Sequence, residues 1–187
     1  MYKQCKTEQS AQRQRQLELG LMQTMLTQRY EDISVSDLCD HLQIPRKSFY
    51  RYFSSKDGCL YALLDHSMME FFESGVSTIG LIPGTPLGDL DRYFVFWKEH
   101  RQLLDALQRN SLGGILVERA NRFALHEGHL PRQFKTLPPD IQGLAMAFSL
   151  CGLMSMILQW HRDGFRVTPD EMTKLAQEIL TRPILPQ

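Results

Sequence analysis

Apolar side chains recur every three or four residues along most of the chain, a spacing that places them on one face of a helix. No segment alternates between apolar and polar residues over the length of a strand. The apolar spacing predicts helices over residues 9–29, 35–42, 45–52, 56–72, 87–100, 101–110, 111–126, 141–160 and 168–180. Residues 75–88 hold four glycines and two prolines and form the one obvious break. We therefore predict an all-α fold of about nine helices.

The second and third predicted helices form a helix-turn-helix pattern. Ser34 can cap the free N–H groups of the second helix, and Asp37 stands three residues later, where a capping-box acid belongs. That helix ends before Pro45, because proline is disfavoured inside a helix but favoured in its first turn. The third helix is predicted to bury Phe49 and to leave a basic side facing solvent.

Charge is informative only where it is local. The 187 residues carry 21 basic and 21 acidic side chains, and a formal net charge of zero argues at first against a nucleic-acid partner. Residues 1–58 hold nine basic and seven acidic residues, a net of +2, and residues 59–187 hold 12 and 14, a net of −2. Between Arg46 and Lys56, four basic residues are interleaved with four aromatic ones and no acidic one. This cluster favours a nucleic-acid contact over an ordinary solvated helix face.

Composition indicates a globular protein of a reducing compartment. The hydrophobic fraction of 43% and the charged fraction of 22% are ordinary values. Cys5, Cys39, Cys59 and Cys151 contain no C-x-x-C pair, which predicts reduced thiols in a cytoplasm rather than disulfides or a zinc knuckle. The first 16 residues are polar, so no secretory signal is predicted.

The sequence carries no signature of an enzyme. It has no phosphate-binding glycine loop and no nucleophile elbow. The H-x-x-H sequence from His126 to His129 is a weak metal candidate, because it lacks further ligands and Gly128 and Pro131 place it at a helix end or in a loop. We therefore expect no catalytic residue, no metal and no cofactor.

The last two predicted helices are suited to pairing with a second copy of the chain. Residues 141–160 contain no charge and are nominally long enough to span a bilayer, but six of them are polar or small. A buried helix or a subunit interface is therefore the better interpretation, and the alternative to an interface is that both helices only close the monomer core. The candidate interface residues are Met154, Ile157, Leu158, Met172, Leu175 and Ile179.

A family likeness is carried by residues 28–38, by the stretch 44–53 from Ile44 to Phe53, and by Lys56 and Asp57 at the start of the next helix. In the spacing of the turn, the aromatic third helix and the lysine, the first 65 residues or so resemble the DNA-binding domain of TetR-family transcriptional regulators. Two positions depart from the family pattern. Gln43 stands where the family often has glycine, so it has to adopt a left-handed backbone, and Pro45 stands where serine or threonine is common.

The resemblance implies a helix-turn-helix DNA-binding domain over residues 1–58 and an effector-binding and dimerisation domain over residues 59–187. Arginine, lysine and hydroxyl groups at the start of a recognition helix can reach base edges in the major groove. The candidates for that role are Arg46, Lys47 and Ser48. Phosphate contacts are expected, by position in the family, from Ser34, Ser36, Tyr50, Tyr52 and Lys56, and Arg51 suits either role.

The resemblance also implies a homodimer on a palindromic double-stranded operator, in a bacterial cytoplasm at the nucleoid. An effector, in most cases a small molecule, would bind among the helices between Cys59 and Trp160. The candidate pocket residues are Phe94, Trp97, Phe123, Met146 and Phe148, although residues of these types at helical spacing are more often plain core. Repression is the commoner outcome in the family. An activator, or an adaptor whose effector is a protein, is the alternative.

Overall fold

The computed structural model describes residues 2–74, 87–126 and 134–181. Within these residues the chain is helical, apart from one isolated antiparallel bridge between Tyr2 and Phe53. The α-helices are α1 (Glu8–Met25), α2 (Val35–His41), α3 (Arg46–Tyr52), α4 (Lys56–Glu73), α5 (Leu87–Glu99), α6 (Arg101–Arg109), α7 (Gly113–His126), α8 (Pro139–Arg162) and α9 (Pro169–Thr181). The predicted all-α class, with about nine helices, is confirmed. Most of the predicted break at 75–88 lies outside the described residues.

The described residues form two compact units. The first comprises those within 1–67 together with 102–113, and the second comprises those within 68–101 together with 114–187. Most of α6 therefore belongs to the unit that contains the helix-turn-helix. The division into a DNA-binding domain of residues 1–58 and an effector-binding domain of residues 59–187 concerns function, and it stays a prediction.

The core of the first unit is formed by apolar side chains of α1 to α4. Leu17 and Leu21 of α1 and Phe49 of α3 are fully buried, as the predicted stripes required. Gly20 allows the residue that follows α2 to approach α1 closely, because a Cβ at this position would lie 2.4 Å from Cδ1 of Leu42. A substitution at Gly20 therefore forces Leu42 to move.

Helix α1 ends earlier than predicted, at Met25 rather than near Arg29. The carbonyl oxygen of Met25 accepts a hydrogen bond of 3.0 Å from the side-chain amide of Asn110, at the end of α6. The chain then leaves the helical path and makes a single 3-10 turn, Tyr30–Asp32. Because Asn110 is 85 residues away in the sequence, the local pattern contained no sign of this stop.

The second unit has an aromatic core. The ring of Phe94 on α5 meets the ring of Trp160 on α8 edge-on, with 5.8 Å between centroids. Trp160 also packs edge-on against Phe165 at 4.6 Å and donates its indole N–H to the carbonyl of Val167 at 2.9 Å. One tryptophan thus joins α5, α8 and the loop that leads to α9.

The capping box predicted for the last helix is present. The N–H of Thr168 donates to Oε2 of Glu171 at 2.8 Å, and the N–H of Glu171 donates to Oγ1 of Thr168 at 3.3 Å. The hydrogen bonds that the backbone N–H and then the hydroxyl of Thr168 donate to the Glu171 carboxylate lower the pKa of Glu171. Both partners lie within four residues of each other, which is why the sequence sufficed to predict the start of α9.

Helix α8 has one buried face and one exposed apolar face. Among the described residues, α8 is the one helix that is long and apolar enough to cross a membrane, judged by length and composition alone. Of the 18-residue apolar stretch that meets this criterion, 33% is buried inside the unit. Leu144 and Phe148 on the opposite face are 71% and 76% exposed. The buried face consists of Met146, Ser149, Leu150, Leu153, Met154, Ile157 and Trp160. Large apolar side chains left in water mark an unpartnered surface.

Candidate nucleic-acid interface

Helix α3 turns an apolar side to the core and a polar, basic side to solvent. Phe49 is fully buried, and its ring packs against Phe53 at 5.2 Å between centroids, which fixes the rotation of the helix about its axis. Ser48 is half-buried. The exposed side chains are Arg46, Lys47, Tyr50 and Arg51. The predicted base-reading and phosphate-binding side chains of this helix therefore share one accessible surface, apart from Tyr52.

Tyr52 lies differently from the other predicted phosphate ligands. Its side chain is only 7% exposed, and its ring lies 6.2 Å from that of Phe53. Most of Tyr52 is core, so a phosphate contact from this residue has to be made by the part that remains at the surface. That role stays a prediction.

The turn between α2 and α3 has the left-handed residue that the sequence indicated. Gln43 has φ = 53°, and the N–H of the next residue, Ile44, donates to the carbonyl of Cys39 at 2.9 Å. Ile44 is buried, so the turn is anchored in the core beside α2. Pro45 takes the N-cap position, and its carbonyl oxygen accepts from the N–H of Ser48 at 2.7 Å. The helix begins at Arg46, and the capping contact of Pro45 comes from its backbone, since proline has no side-chain hydroxyl.

Ser34 caps α2 as predicted. Its hydroxyl accepts from the N–H of Asp37 at 3.0 Å and donates to the Asp37 carboxylate at 2.6 Å. Ser34 is exposed and Ser36, in the first turn of α2, is half-buried. Both hydroxyls lie at a helix N-terminus, where backbone N–H groups and the helix dipole favour an anion.

Lys56 connects the start of α4 to the 3-10 turn that precedes α2. Its ammonium donates to the carbonyl oxygen of Ile33 at 2.7 Å and to that of Tyr30, and it lies 4.3 Å from the centre of the Tyr30 ring. Burial lowers the pKa of Lys56, and the nearby carboxylates, first that of Asp57, oppose this shift. Lys56 thus has a positioning role within the protein, and its predicted phosphate contact stays a prediction.

Tyr30 is the central residue of this connection. Its hydroxyl donates to Oδ1 of Asp57 at 2.6 Å, and its backbone N–H donates to the side-chain oxygen of Asn110 at 2.6 Å. Burial and then the hydrogen bond to Asp57 raise the pKa of Tyr30 well above its usual value. The hydroxyl therefore stays protonated and remains a donor at any physiological pH.

Asn110 was not identified from the sequence. Its amide donates to the carbonyl oxygens of Met25 and Ala106, and its side-chain oxygen accepts from Tyr30, so that it joins the ends of α6 and α1 to the turn before α2. Arg109 adds a hydrogen bond of 3.2 Å to the carbonyl of Thr27. A single asparagine after a helix has no distinguishing sequence signal, and only the tertiary fold gives it these partners.

Three acidic residues close to this surface have hydrogen-bond or ion-pair partners. Asp37 accepts from Ser34, Asp57 accepts from Tyr30, and Glu31 forms an ion pair with Arg29. The face of α3 itself carries no acidic residue. Positive charge is thus concentrated on the exposed side of this short helix, where basic residues occur without an acidic one, even though the whole chain is neutral.

The five predicted pocket residues differ in burial, and their role in a pocket stays a prediction. Phe94, Trp97 and Met146 are fully buried, and Phe123 is half-buried and stacked on Phe72 at 5.5 Å. Phe148 is exposed. Residues 146 and 148 point in different directions because two steps along a helix turn the side chain by about 200°.

The six predicted interface residues also fall into two groups. Met154, Ile157 and Met172 are buried inside the second unit itself, and Leu158 is half-buried. Leu175 and Ile179 are exposed on α9. Leu175 and Ile179, together with the largely buried Met172, line a groove of about 440 Å³ with residues of α8 that include Gly152 and Ser155. The surface that α8 and α9 leave free is thus formed mainly by residues that the sequence analysis did not select.

The described residues contain no group of three or more His, Cys, Asp or Glu side chains arranged to hold a metal ion. Of the H-x-x-H sequence, residues 127–133 lie outside the described residues, and the side chain of His126 is likewise not described.

Comparisons with known proteins agree with this geometry. Residues 24–63 match the family model of bacterial regulatory proteins of the tetR family. A tetR-family transcriptional regulator from Streptomyces coelicolor has a similar structure, with a TM-score of 0.53 and 24% identity over 90% of this chain and 78% of that one. No curated protein sequence matches the chain.

Two further solved structures share the fold. The dihydroxyacetone kinase operon activator DhaS aligns with a TM-score of 0.55 and 14% identity over 90% of this chain and 93% of that one. The fatty acid degradation regulator FadR from Bacillus halodurans aligns with a TM-score of 0.56 and 15% identity over 97% and 98%. At these identities the likeness concerns the fold alone.

An all-α fold with an N-terminal helix-turn-helix, whose second helix is basic and exposed, defines a DNA-binding protein of the transcription-regulator class. The family match covers both helices of this motif and the turn between them. Residues 24–63 therefore form a helix-turn-helix DNA-binding domain of the tetR type of bacterial regulatory proteins.

Proposed function

We propose that this protein is a sequence-specific repressor that acts as a homodimer on a palindromic operator, in the bacterial cytoplasm, under the control of an effector bound in its C-terminal part. The observation that carries the proposal is the face of α3. Two arginines, a lysine and a tyrosine are exposed there on a helix that Phe49 fixes to the core. A short rigid helix with such a face fits the major groove.

Base reading is assigned to the first turn of α3. Arg46 and Lys47 are long enough to reach O6 and N7 of guanine, and Ser48 can hydrogen-bond to either base type. The second group, which positions the domain on the backbone, consists of Ser34, Ser36, Tyr50, Tyr52 and Lys56, with Arg51 in either role. The two groups differ in what their loss does: base contacts determine which sequence is bound, and phosphate contacts affect all sequences alike.

The homodimer is proposed to form through the exposed side of α8 and α9. Along α8, the positions Leu144, Phe148, Gly152 and Ser155 follow one another at intervals of three and four residues and share a face. Its C-terminal part borders the groove that Ile179 and other α9 residues line. One continuous surface, apolar at one end and grooved at the other, supports two-fold pairing with a second copy.

The effector is proposed to bind in the second unit, near the aromatic side chains of α5. The rings of Tyr93 and Trp97 lie 6.4 Å apart, and both residues are buried. Apart from a contact with each other that opposes the rise in the Tyr93 pKa, neither the Tyr93 hydroxyl nor the Trp97 indole N–H has a hydrogen-bond partner among the described residues. Burial raises the pKa of Tyr93, which keeps its hydroxyl a donor. Buried polar groups that have no partner beyond each other, next to aromatic rings, support a ligand with an apolar body and an acceptor atom.

Operator binding tests the proposed function directly. Purified protein is mixed with duplexes that cover the DNA flanking its own gene and with a shuffled duplex, at moderate salt, in a gel-shift or fluorescence-anisotropy titration. We expect at least one flanking duplex to bind 10³-fold or more tightly than the shuffled one, which is the low end for specific regulators. Equal binding of all duplexes would contradict the proposal and favour the adaptor.

Lys56→Ala is expected to weaken binding to every duplex and to reduce the dependence of log K on log salt by about one unit per half-site. The reason is that one phosphate contact is lost from each half-site. A salt titration with specific and shuffled duplexes measures this effect. Lys98→Ala, which removes an exposed lysine of α5, is the control for net charge.

The same variant separates the two roles of Lys56. Removing the ammonium also removes its hydrogen bonds to the carbonyl oxygens of Tyr30 and Ile33, so some affinity is lost through positioning alone. Weaker binding with an unchanged salt slope would leave only that positioning role and contradict the phosphate contact.

A further inference from the structure

The segment from Tyr2 to Cys5, which we call the arm, lies along the end of the recognition helix. Tyr2 forms an antiparallel bridge with Phe53. The backbone N–H of Lys3 donates to the carbonyl oxygen of Tyr52, the last residue of α3, at 3.0 Å. The arm therefore satisfies a carbonyl group at the C-terminus of α3 that the helix itself leaves free.

Side chains of the arm also attach it to α4 and α1. The Tyr2 hydroxyl donates to Oδ2 of Asp65 at 2.7 Å, and the Tyr2 ring meets His66 edge-on at 5.8 Å between centroids. Further along, the thiol of Cys5 donates to Oε1 of Gln14 at 2.7 Å. With contacts to three helices of the first unit, the arm has a defined position beside α3.

Lys3 is the basic residue that this arrangement places next to the recognition helix. Successive side chains of an extended segment point to opposite sides, and Tyr2 points to α4. Lys3 therefore points away from α4, and it is exposed and forms no salt bridge with the described residues. Residues 2–7 contain two lysines and no acidic residue. The ammonium of Lys3 thus extends the basic surface of α3 beyond its C-terminal end.

We propose that the arm is a second DNA-contacting element, in which Tyr2 is the positioning residue and Lys3 binds a backbone phosphate next to the segment read by α3. This inference rests on the proposed DNA interface of α3. The contact is independent of base sequence, because an ammonium group on a phosphate recognises charge. Its contribution is to orient the recognition helix in the groove as well as to add affinity.

The test measures the salt dependence of binding for Lys3→Gln, on the specific duplex and on a shuffled duplex. We expect the slope of log K against log salt to fall by about one unit per half-site on both duplexes. At about 0.1 M salt the affinity should fall by roughly an order of magnitude per half-site, as one released counterion predicts. Lys174→Gln is the matched control, since it makes the same change in charge on α9, where Lys174 is paired with Asp170.

Tyr2→Phe tests the positioning role. The variant keeps the ring against His66 but loses the hydroxyl that donates to Asp65, so the attachment of the arm to α4 is weakened without a change in charge. We expect weaker binding and a smaller reduction of the slope than for Lys3→Gln. In the double variant the slope should equal that of Lys3→Gln alone, because both changes act through one contact. Thermal melts followed by circular dichroism establish that each variant is folded.

The outcomes separate this inference from the proposed function. If the wild-type protein binds its operator specifically and Lys3→Gln leaves the slope unchanged, the arm contact is wrong and the interface of α3 stands. If the wild-type protein binds all duplexes alike, the proposed sequence-specific regulation is contradicted. The effect of Lys3→Gln on the salt slope can then still be measured on the shuffled duplex. Additive slopes in the double variant would overturn the positioning role of Tyr2.

Discussion

Arg46→Ala is expected to lower the affinity for the operator by about thirtyfold or more and to leave binding to a shuffled duplex nearly unchanged. A bidentate arginine–guanine contact contributes about 1–3 kcal/mol of discrimination, and a homodimer makes it twice, once in each half-site. The combined loss is therefore about 2–6 kcal/mol. Arg46 is exposed at the first position of α3, so its truncation removes no core packing.

The ratio of specific to non-specific affinity is the quantity to measure, by competition titration at one fixed salt concentration. Arg162→Ala is the matched control, because it removes an exposed arginine at the end of α8 in the second unit. We expect this control to retain the wild-type ratio. A ratio that Arg46→Ala leaves unchanged would show that Arg46 makes no base contact and would move base reading to Lys47 and Ser48.

The double variant Leu144→Asp/Phe148→Asp is expected to convert the proposed dimer into monomers. Both side chains are mostly exposed within the chain, so the fold does not depend on them. In the proposed interface they are covered by the second copy, and burial of four such side chains per dimer contributes roughly 6 kcal/mol or more. Carboxylates at these positions would additionally have to lose their water. Sedimentation equilibrium measures the dissociation constant, and a loss of that size corresponds to more than a ten-thousandfold increase.

Met69→Asp is the control for the dimer prediction, because it places an acid at another exposed apolar residue, on α4. It should leave the dimer intact. Operator affinity should fall together with dimerisation in the double variant, since each monomer then binds a single half-site. A double variant that remains dimeric would exclude this face of α8 as the interface.

Features defined by neighbours within four residues were predictable from the sequence. The hydroxyl of Ser34 caps α2, and Thr168 and Glu171 cap α9, as the capping patterns indicated. The turn between α2 and α3 needs a left-handed residue, and Gln43 adopts that conformation despite its side chain. Helix starts and tight turns are governed by local hydrogen bonds, so the residues that form them can be recognised in the sequence without knowledge of the fold.

Features that depend on distant residues were not predictable. Nothing near Arg29 indicated that α1 ends at Met25, because the group that binds the Met25 carbonyl belongs to Asn110. The sequence analysis identified Lys56 as a basic residue at the start of α4, but its hydrogen bonds to the turn at Tyr30 depend on the packing of α4. No sequence pattern predicted the position of the arm, because Tyr2 gains its partners only when α3 and α4 are in place.

Helix α8 shows the same difference between what the local sequence indicates and what distant contacts decide. Its twenty uncharged residues predicted a buried or interfacial helix, but a helix that is apolar all round does not reveal which face is covered. The sequence analysis selected Met154 and Ile157 as interface residues, and these are buried inside the second unit. Phe148, selected for the pocket, is one of the most exposed large apolar side chains of the described residues.

The sequence by itself determined the class of this protein: helices from their apolar spacing, the helix-turn-helix from its caps and its proline, and an exposed basic surface from the cluster between Arg46 and Lys56. All three rest on interactions of short range along the chain. Only the tertiary structure decided which side of α8 faces solvent, which groups hold Lys56, and that Lys3 lies beside α3. These depend on contacts between segments far apart in sequence, and periodicity and composition carry no information about such contacts.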